Sequence, residues 1–138
     1  MIGYGKLVLV VDEVESERQE TAFLLKQTGF TVVQACDGLE ALSEMQQQHF
    51  DAVVTDFQIP YLNGIELLAE SRAIWADIPV IIVSTAQWGM SEMATANGVF
   101  AWIRKSSRLG VLLSILAIAV EQGVERESHH AMEQVGAH

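Results

Sequence analysis

Five short apolar runs divide this chain, and the stretches between them repeat apolar residues at helical spacing. The runs are KLVLVV at 6–11, TVVQA at 31–35, AVVT at 52–55, PVIIVS at 79–84 and VFAWI at 99–103. The first, third and fourth are almost unbroken Val, Ile and Leu, the composition of strands covered on both faces. The second and fifth are more mixed, which suits edge strands. Between them, SERQETAFLLKQTG repeats Ala22, Leu24, Leu25 and Thr28 and stops at Gly29. DGLEALSEMQQQ carries Leu39, Leu42 and Met45 behind Asp37, a residue type that caps helix N-termini. NGIELLAESRAIW repeats Ile65, Leu68 and Ile74 with Leu67 beside them, MSEMATANG ends on the helix stop Asn-Gly, and SRLGVLLSILAIAVEQG predicts the last helix. Strand and helix thus alternate five times. That order predicts an α/β fold with a parallel sheet, right-handed crossovers and helices on both faces.

Length and composition sharpen this picture. With 138 residues, half of them hydrophobic and 19% charged, the chain is expected to fold as one domain with its own core. No linker is read before about residue 123, so the expected domain is 1–122, followed by a polar, flexible tail at 123–138. Eight basic residues face eighteen acidic ones, a formal charge of −10. Phosphate backbones and anionic lipid repel such a chain, so direct nucleic-acid binding is not expected. The N-terminus has no signal-peptide cleavage pattern, and the longest apolar stretch, near 109–120, is too short to span a membrane. A cytoplasmic protein is expected. The single Cys36 forms no internal disulfide and reads as a core or near-core residue. The histidines at 49, 129, 130 and 138 show no zinc spacing, and His49 reads as a surface residue.

The chemistry lies at the strand ends. In a parallel sheet, ligands bind beyond the carboxyl ends of the strands, at the topological switch point. The first strand ends in Asp12-Glu13, the third in Asp56, the fourth in Ser84-Thr85, and the fifth runs into Arg104-Lys105. Any one of these acids reads as a cap or a loop residue. Three at strand ends, facing a lysine and a hydroxyl, suggest more, because a carboxylate is costly to bury unless paired or metal-bound. Oxygen ligands in that number suit Mg²⁺. A carboxylate beside it can be the nucleophile that forms an aspartyl phosphate, with lysine and hydroxyl holding phosphoryl oxygens.

The motifs LVLVVDE, VVTDFQIPYLNG, PVIIVST and NGVFAWIRK, in register over about residues 5–122, resemble a bacterial response-regulator receiver domain of the chemotaxis-regulator type. The resemblance implies a flavodoxin-like sheet of order 2-1-3-4-5 with five helices. It also implies a site: Asp56 as phospho-acceptor, with Lys105 and Ser84. Asp12, Glu13, Asp56 and the backbone carbonyl of Gln58 would hold Mg²⁺. Ser84 is preferred to Thr85 because it lies five residues beyond Pro79, as in the family. Trp102 would be the switch aromatic that answers Ser84. Glu13 stands where aspartate is commonest, Ile59 replaces a methionine, Thr85 a smaller residue, and Ser106 a proline. None of these removes a chemical group.

The expected function is that of a phosphorelay receiver, fed by a sensor histidine kinase or phosphotransfer protein. It would be a switch that also dephosphorylates itself, with Gln58 affecting the attacking water, rather than an enzyme in the usual sense. The alternative is a phosphorylation-independent scaffold, supported only by Thr85 and the missing proline. The last helix is apolar nearly all round: Leu109, Leu112, Leu113 and Leu116 make one face, while Val111, Ile115 and Ile118 lie largely off it. Such a helix is expected to meet a partner or a second copy through the fourth helix, fifth strand and fifth helix. Trp88, Met90 and Met93 read as contact surface or packing.

Overall fold

The computed structural model describes residues 3–84, 98–105 and 109–136, with side chains as far as 122. Five strands form a parallel sheet: β1 (Leu7–Val11), β2 (Thr31–Ala35), β3 (Ala52–Asp56), β4 (Val80–Ser84) and β5 (Ala101–Arg104). Their spatial order is β2-β1-β3-β4-β5, the expected flavodoxin-like order. In register, Val10 lies beside Val54, Asp56 beside Val83, and Ser84 beside Arg104. The ends of β1, β3, β4 and β5 therefore share one edge.

The described helices are α1 (Glu15–Gln27), α2 (Gly38–Gln47), α3 (Gly64–Ile74) and α4 (Leu109–Gly136). The helix expected over MSEMATANG, with Trp88, Met90 and Met93, lies outside the described residues, as do Thr85 and Ser106. Strand residues alternate between two cores because successive side chains leave opposite faces. Leu9, Val11, Val53 and Ile82 meet Met45 of α2 and Leu67 and Leu68 of α3. Val8, Val10, Val54 and Ile81 meet Leu25 of α1 and Leu112 and Leu116 of α4. The sheet is thus covered on both faces, which is why β1, β3 and β4 read as continuous apolar runs.

Local chemistry sets the helix starts. Asp37 caps α2, its side chain accepting from the Glu40 N–H. Asn63 caps α3 in a reciprocal capping box with Glu66. At Gly29, φ is +99°, a left-handed conformation that ends α1 as expected. Two readings are corrected. Leu39 points outward, 55% exposed, while Ala41 and Met45 face the core. Cys36 is exposed, its thiol 3.0 Å from Glu40 Oε2; it lies just past β2, where the chain turns outward toward α2. The helical backbone of α4 also continues past 122 to Gly136, through good helix formers such as Glu, Arg, Ala, Met and Gln.

Candidate functional site

Each strand on the shared edge contributes one group. Beyond β1, the Asp12 N–H donates to the Ala35 carbonyl at 3.1 Å, extending the pairing with β2 by one residue. Its carboxylate accepts from the Val14 N–H at 2.9 Å. The Arg18 guanidinium donates to the Asp12 carbonyl at 2.8 Å and to Gln34 Oε1 at 3.2 Å, so α1 fixes the backbone that presents Asp12. Asp56 closes β3. After β5, the Lys105 N–H donates to the Ser84 carbonyl at 2.9 Å, and Ser84 itself is buried at the end of β4.

Lys105 is the hub. Its Nζ lies 2.9 Å from Asp56 Oδ2 and 2.9 Å from Glu17 Oε2. Asp12, Glu17 and Asp56 can each offer an oxygen within 4.8 Å of the others. Two clefts open here. Glu13, Val14, Asp56, Gln58, Ser84 and Lys105 line one of about 170 Å³. The other, about 280 Å³, lies between the sheet, α1 and α4 and is lined by Asp12 and Glu17 among others; Asp56 and Lys105 line both. Of the six residues expected to carry the chemistry, Asp12 lines the larger cleft, Glu13, Gln58 and Ser84 line the smaller, and Asp56 and Lys105 join the two. Glu13 reaches the smaller cleft but is exposed, and the acid that groups with Asp12 and Asp56 is Glu17.

Electrostatics follow from that crowding. Burial raises the Asp56 carboxyl above the usual carboxylate range; Lys105 pulls it back, and the charge on Glu17 pushes it up. Burial likewise raises Asp12, against the Val14 N–H and with help from the charge on Asp56. For Lys105, burial opposes the charge, but hydrogen bonds to Asp56 and Glu17 outweigh it and hold the ammonium above its ordinary value. Asp56 and Glu17 share one ammonium with Asp12 close by, and a hard cation with oxygen ligands would relieve the repulsion among these acids. The donor set fits Mg²⁺.

The loop from Asp56 into α3 is tightly folded. The Gly64 N–H donates to the Phe57 carbonyl at 2.7 Å. A Cβ on Gly64 would stand 3.1 Å from Phe57 Cα and 3.2 Å from the Asp56 carbonyl oxygen, so this close approach calls for glycine. Trp102, on β5, is half-buried away from the clefts, its ring 5.6 Å from that of Phe57. Along α4, Val111 and Ile118 are 44% and 49% exposed, while Ile115 packs against the core. His49 is exposed, as expected, and meets Trp75 edge-on.

Glu17 and Arg18 escaped the sequence reading. Nothing local marked Glu17: Glu13 precedes α1, and the Lys105 that Glu17 meets is 88 residues away in the chain.

Residues 8–117 match the model of the response regulator receiver domain. The chain belongs to that family. This receiver domain is 43% identical over 81 residues, 56% of its length, to the CAI-1 autoinducer sensor kinase/phosphatase CqsS of Vibrio cholerae. Over 128 residues, 89% of its length, it is 32% identical to the probable transcriptional regulator ycf29 of Pyropia yezoensis. The receiver domain of the Francisella response regulator 1452 matches with a TM-score of 0.82 at 27% identity, covering 86% of this chain and 99% of that one. The chain spans 12% of the length of CqsS and 56% of that of ycf29. Receiver domains are parts of two-component systems and take their signal from sensor kinases. Among the described residues, no helix is long and apolar enough to cross a membrane.

Proposed function

We propose that this receiver domain takes a phosphoryl group onto Asp56 from a phosphohistidine of a sensor kinase or phosphotransfer protein. The observation that carries this reading is the Asp56 carboxylate at the β3 terminus, 2.9 Å from the Lys105 ammonium and grouped with Asp12 at the head of a parallel sheet. A carboxylate oxygen of Asp56 attacks phosphorus, an O–P bond forms, and the N–P bond breaks with its electron pair returning to the imidazole nitrogen. Lys105 and the Ser84 hydroxyl hold phosphoryl oxygens in place, the positioning that dominates phosphoryl transfer. Asp12, Asp56, Glu13 and the Gln58 carbonyl would hold Mg²⁺, which supplies charge neutralisation when bound.

The reverse step returns the switch to rest. Water attacks phosphorus, the Asp56 O–P bond breaks, and inorganic phosphate leaves; in this reading Gln58, exposed at the rim of the smaller cleft, affects that water. The domain is in this reading a switch and not an enzyme with an outside substrate. Drawing Ser84 toward the phosphoryl group biases β4 against its neighbour β5, on which Trp102 sits. The output face runs from β5 to the exposed side of α4 at Val111 and Ile118, with Ile115 at its margin, and meets a target protein or a second copy.

Intact mass after incubation with acetyl phosphate tests the reading. One phosphoryl mass, gained only with Mg²⁺ and absent in Asp56→Ala, is expected. No gain from acetyl phosphate or from a phosphohistidine donor would overturn it in favour of a module that signals by binding alone.

A further inference from the structure

We propose that Glu17 is a positioning residue that holds Lys105 back from the phosphoryl group, an inference that rests on the phospho-acceptor reading of Asp56. One ammonium is divided between two acids: Lys105 Nζ is 2.9 Å from Glu17 Oε2 and 2.9 Å from Asp56 Oδ2. An ammonium has three N–H donors and no more. A donor given to Glu17 is withdrawn from the phosphoryl oxygens that Lys105 has to meet once Asp56 is modified. Glu17 also brings an oxygen within 4.8 Å of those of Asp12 and Asp56, so an incoming phosphoryl donor faces one more negative charge. Both effects slow phosphorylation.

The contact is built to be released. Glu17 sits in the first turn of α1, with its side chain 49% exposed against 11% for that of Asp56. Its carboxylate can turn into water at small cost, because exposed ion pairs are weak. A phosphoryl group carries a charge of about −1.5 to −2 and three strong acceptor oxygens, and it outcompetes one exposed carboxylate for the ammonium. Glu17 therefore keeps Lys105 near the cleft at rest, and yields it on phosphorylation. Glu15, in the same turn, spends its carboxylate on the Gln19 amide at 3.1 Å.

The test compares initial phosphorylation rates of the full chain, Glu17→Gln and Glu15→Gln, with acetyl phosphate and Mg²⁺, read by intact mass. Here an Asp56 oxygen bonds to phosphorus and acetate departs with the electron pair of the broken P–O bond. Glu17→Gln is expected to react about two- to fivefold faster at low salt, the range set by releasing an exposed pair. The gain falls on the donor concentration needed for half-maximal rate and shrinks as salt screens the charge. Glu15→Gln, which removes the same charge without touching Lys105, stays at the wild-type rate. An equal or slower rate for Glu17→Gln, or the same gain in Glu15→Gln, overturns the proposal. The Lys105 ammonium resonance reads the contact without phosphoryl chemistry; it is expected to shift in Glu17→Gln only, and an unmoved signal also overturns the proposal. A wild-type chain that takes no phosphoryl group instead defeats the acceptor reading, and the ammonium resonance then decides separately whether Glu17 holds Lys105.

Discussion

Replacing Lys105 with methionine keeps the apolar stem and deletes the charge, so it isolates the ion pair at the site. The Lys105 side chain is 29% exposed and that of Asp56 only 11%. The pair is therefore neither a surface bridge, worth about 0–1 kcal/mol, nor fully buried, where breaking one partner costs about 3–5 kcal/mol. Hydrogen bonds to charged groups contribute about 1.5–3 kcal/mol, and water around Lys105 reduces this to about 1–2 kcal/mol. For 138 residues that is a fall in Tm of about 3–7 °C. The cost depends on pH in a definite direction. Burial already raises the Asp56 carboxyl, and losing Lys105 raises it further. A carboxyl whose folded pKa exceeds its unfolded one binds extra protons in the folded state between the two values. The stability of Lys105→Met therefore falls as pH rises through that interval, which lies above the ordinary carboxylate value. The deficit against the wild type is full at neutral pH and shrinks on acidification. Urea unfolding of the wild type, Lys105→Met, Asp56→Asn and the double variant, at neutral and mildly acidic pH, measures this. An unchanged stability for Lys105→Met at neutral pH, or an equal cost in the Asp56→Asn background, would refute the reasoning.

Three other outcomes follow from particular contacts. Hydrogen bonding to Glu40, burial and the charges on Glu40 and Asp37 push the Cys36 thiol up to about 11. Alkylation followed by mass should therefore still be accelerating at pH 10, and Glu40→Gln should move the midpoint down toward ~8.5; a wild-type plateau by pH 9 contradicts this. Asn63→Ala removes the side chain that accepts from the Glu66 N–H at 2.8 Å and breaks the capping box. A loss of about 1 kcal/mol in chemical denaturation is expected, and no loss would mean that the cap is idle. On α4, Leu116 is fully buried and Ile118 is 49% exposed. Leu116→Ala should cost about 2–5 kcal/mol, whereas Ile118→Ser should stay within about 0.5 kcal/mol while weakening any partner or self-association seen by sedimentation. Equal costs would put the output face in the wrong place.

The sheet was legible because burial on both faces leaves little room for polar residues. LVLVV, AVVT and VIIVS announce three central strands, and the acids that follow the first two stand out against that background. The phase of a short amphipathic helix is harder to fix. Leu39, Leu42 and Met45 share a helical spacing, yet rotation by part of a turn buries Ala41 and Met45 and leaves Leu39 in water. Cys36 misled because cysteine is usually buried, whereas this one sits just past an edge strand where the chain turns outward. Glu17 was missed because its partner is 88 residues away in the chain. Only folding brings α1 beside the end of β5, and no local pattern marks a glutamate for that contact. The end of the last helix was placed near 122 by loss of apolar character, a pattern that helical backbone does not require, and the helix runs on to Gly136.

The most direct test of the central claim is to locate the acceptor. Borohydride reduction of the acetyl-phosphate-treated chain converts an aspartyl phosphate to homoserine, and peptide mass spectrometry reads its position. Homoserine at residue 56, formed only with Mg²⁺, is the predicted result. Homoserine at residue 12 in its place, or no reduced residue despite a gain in phosphoryl mass, would contradict the account.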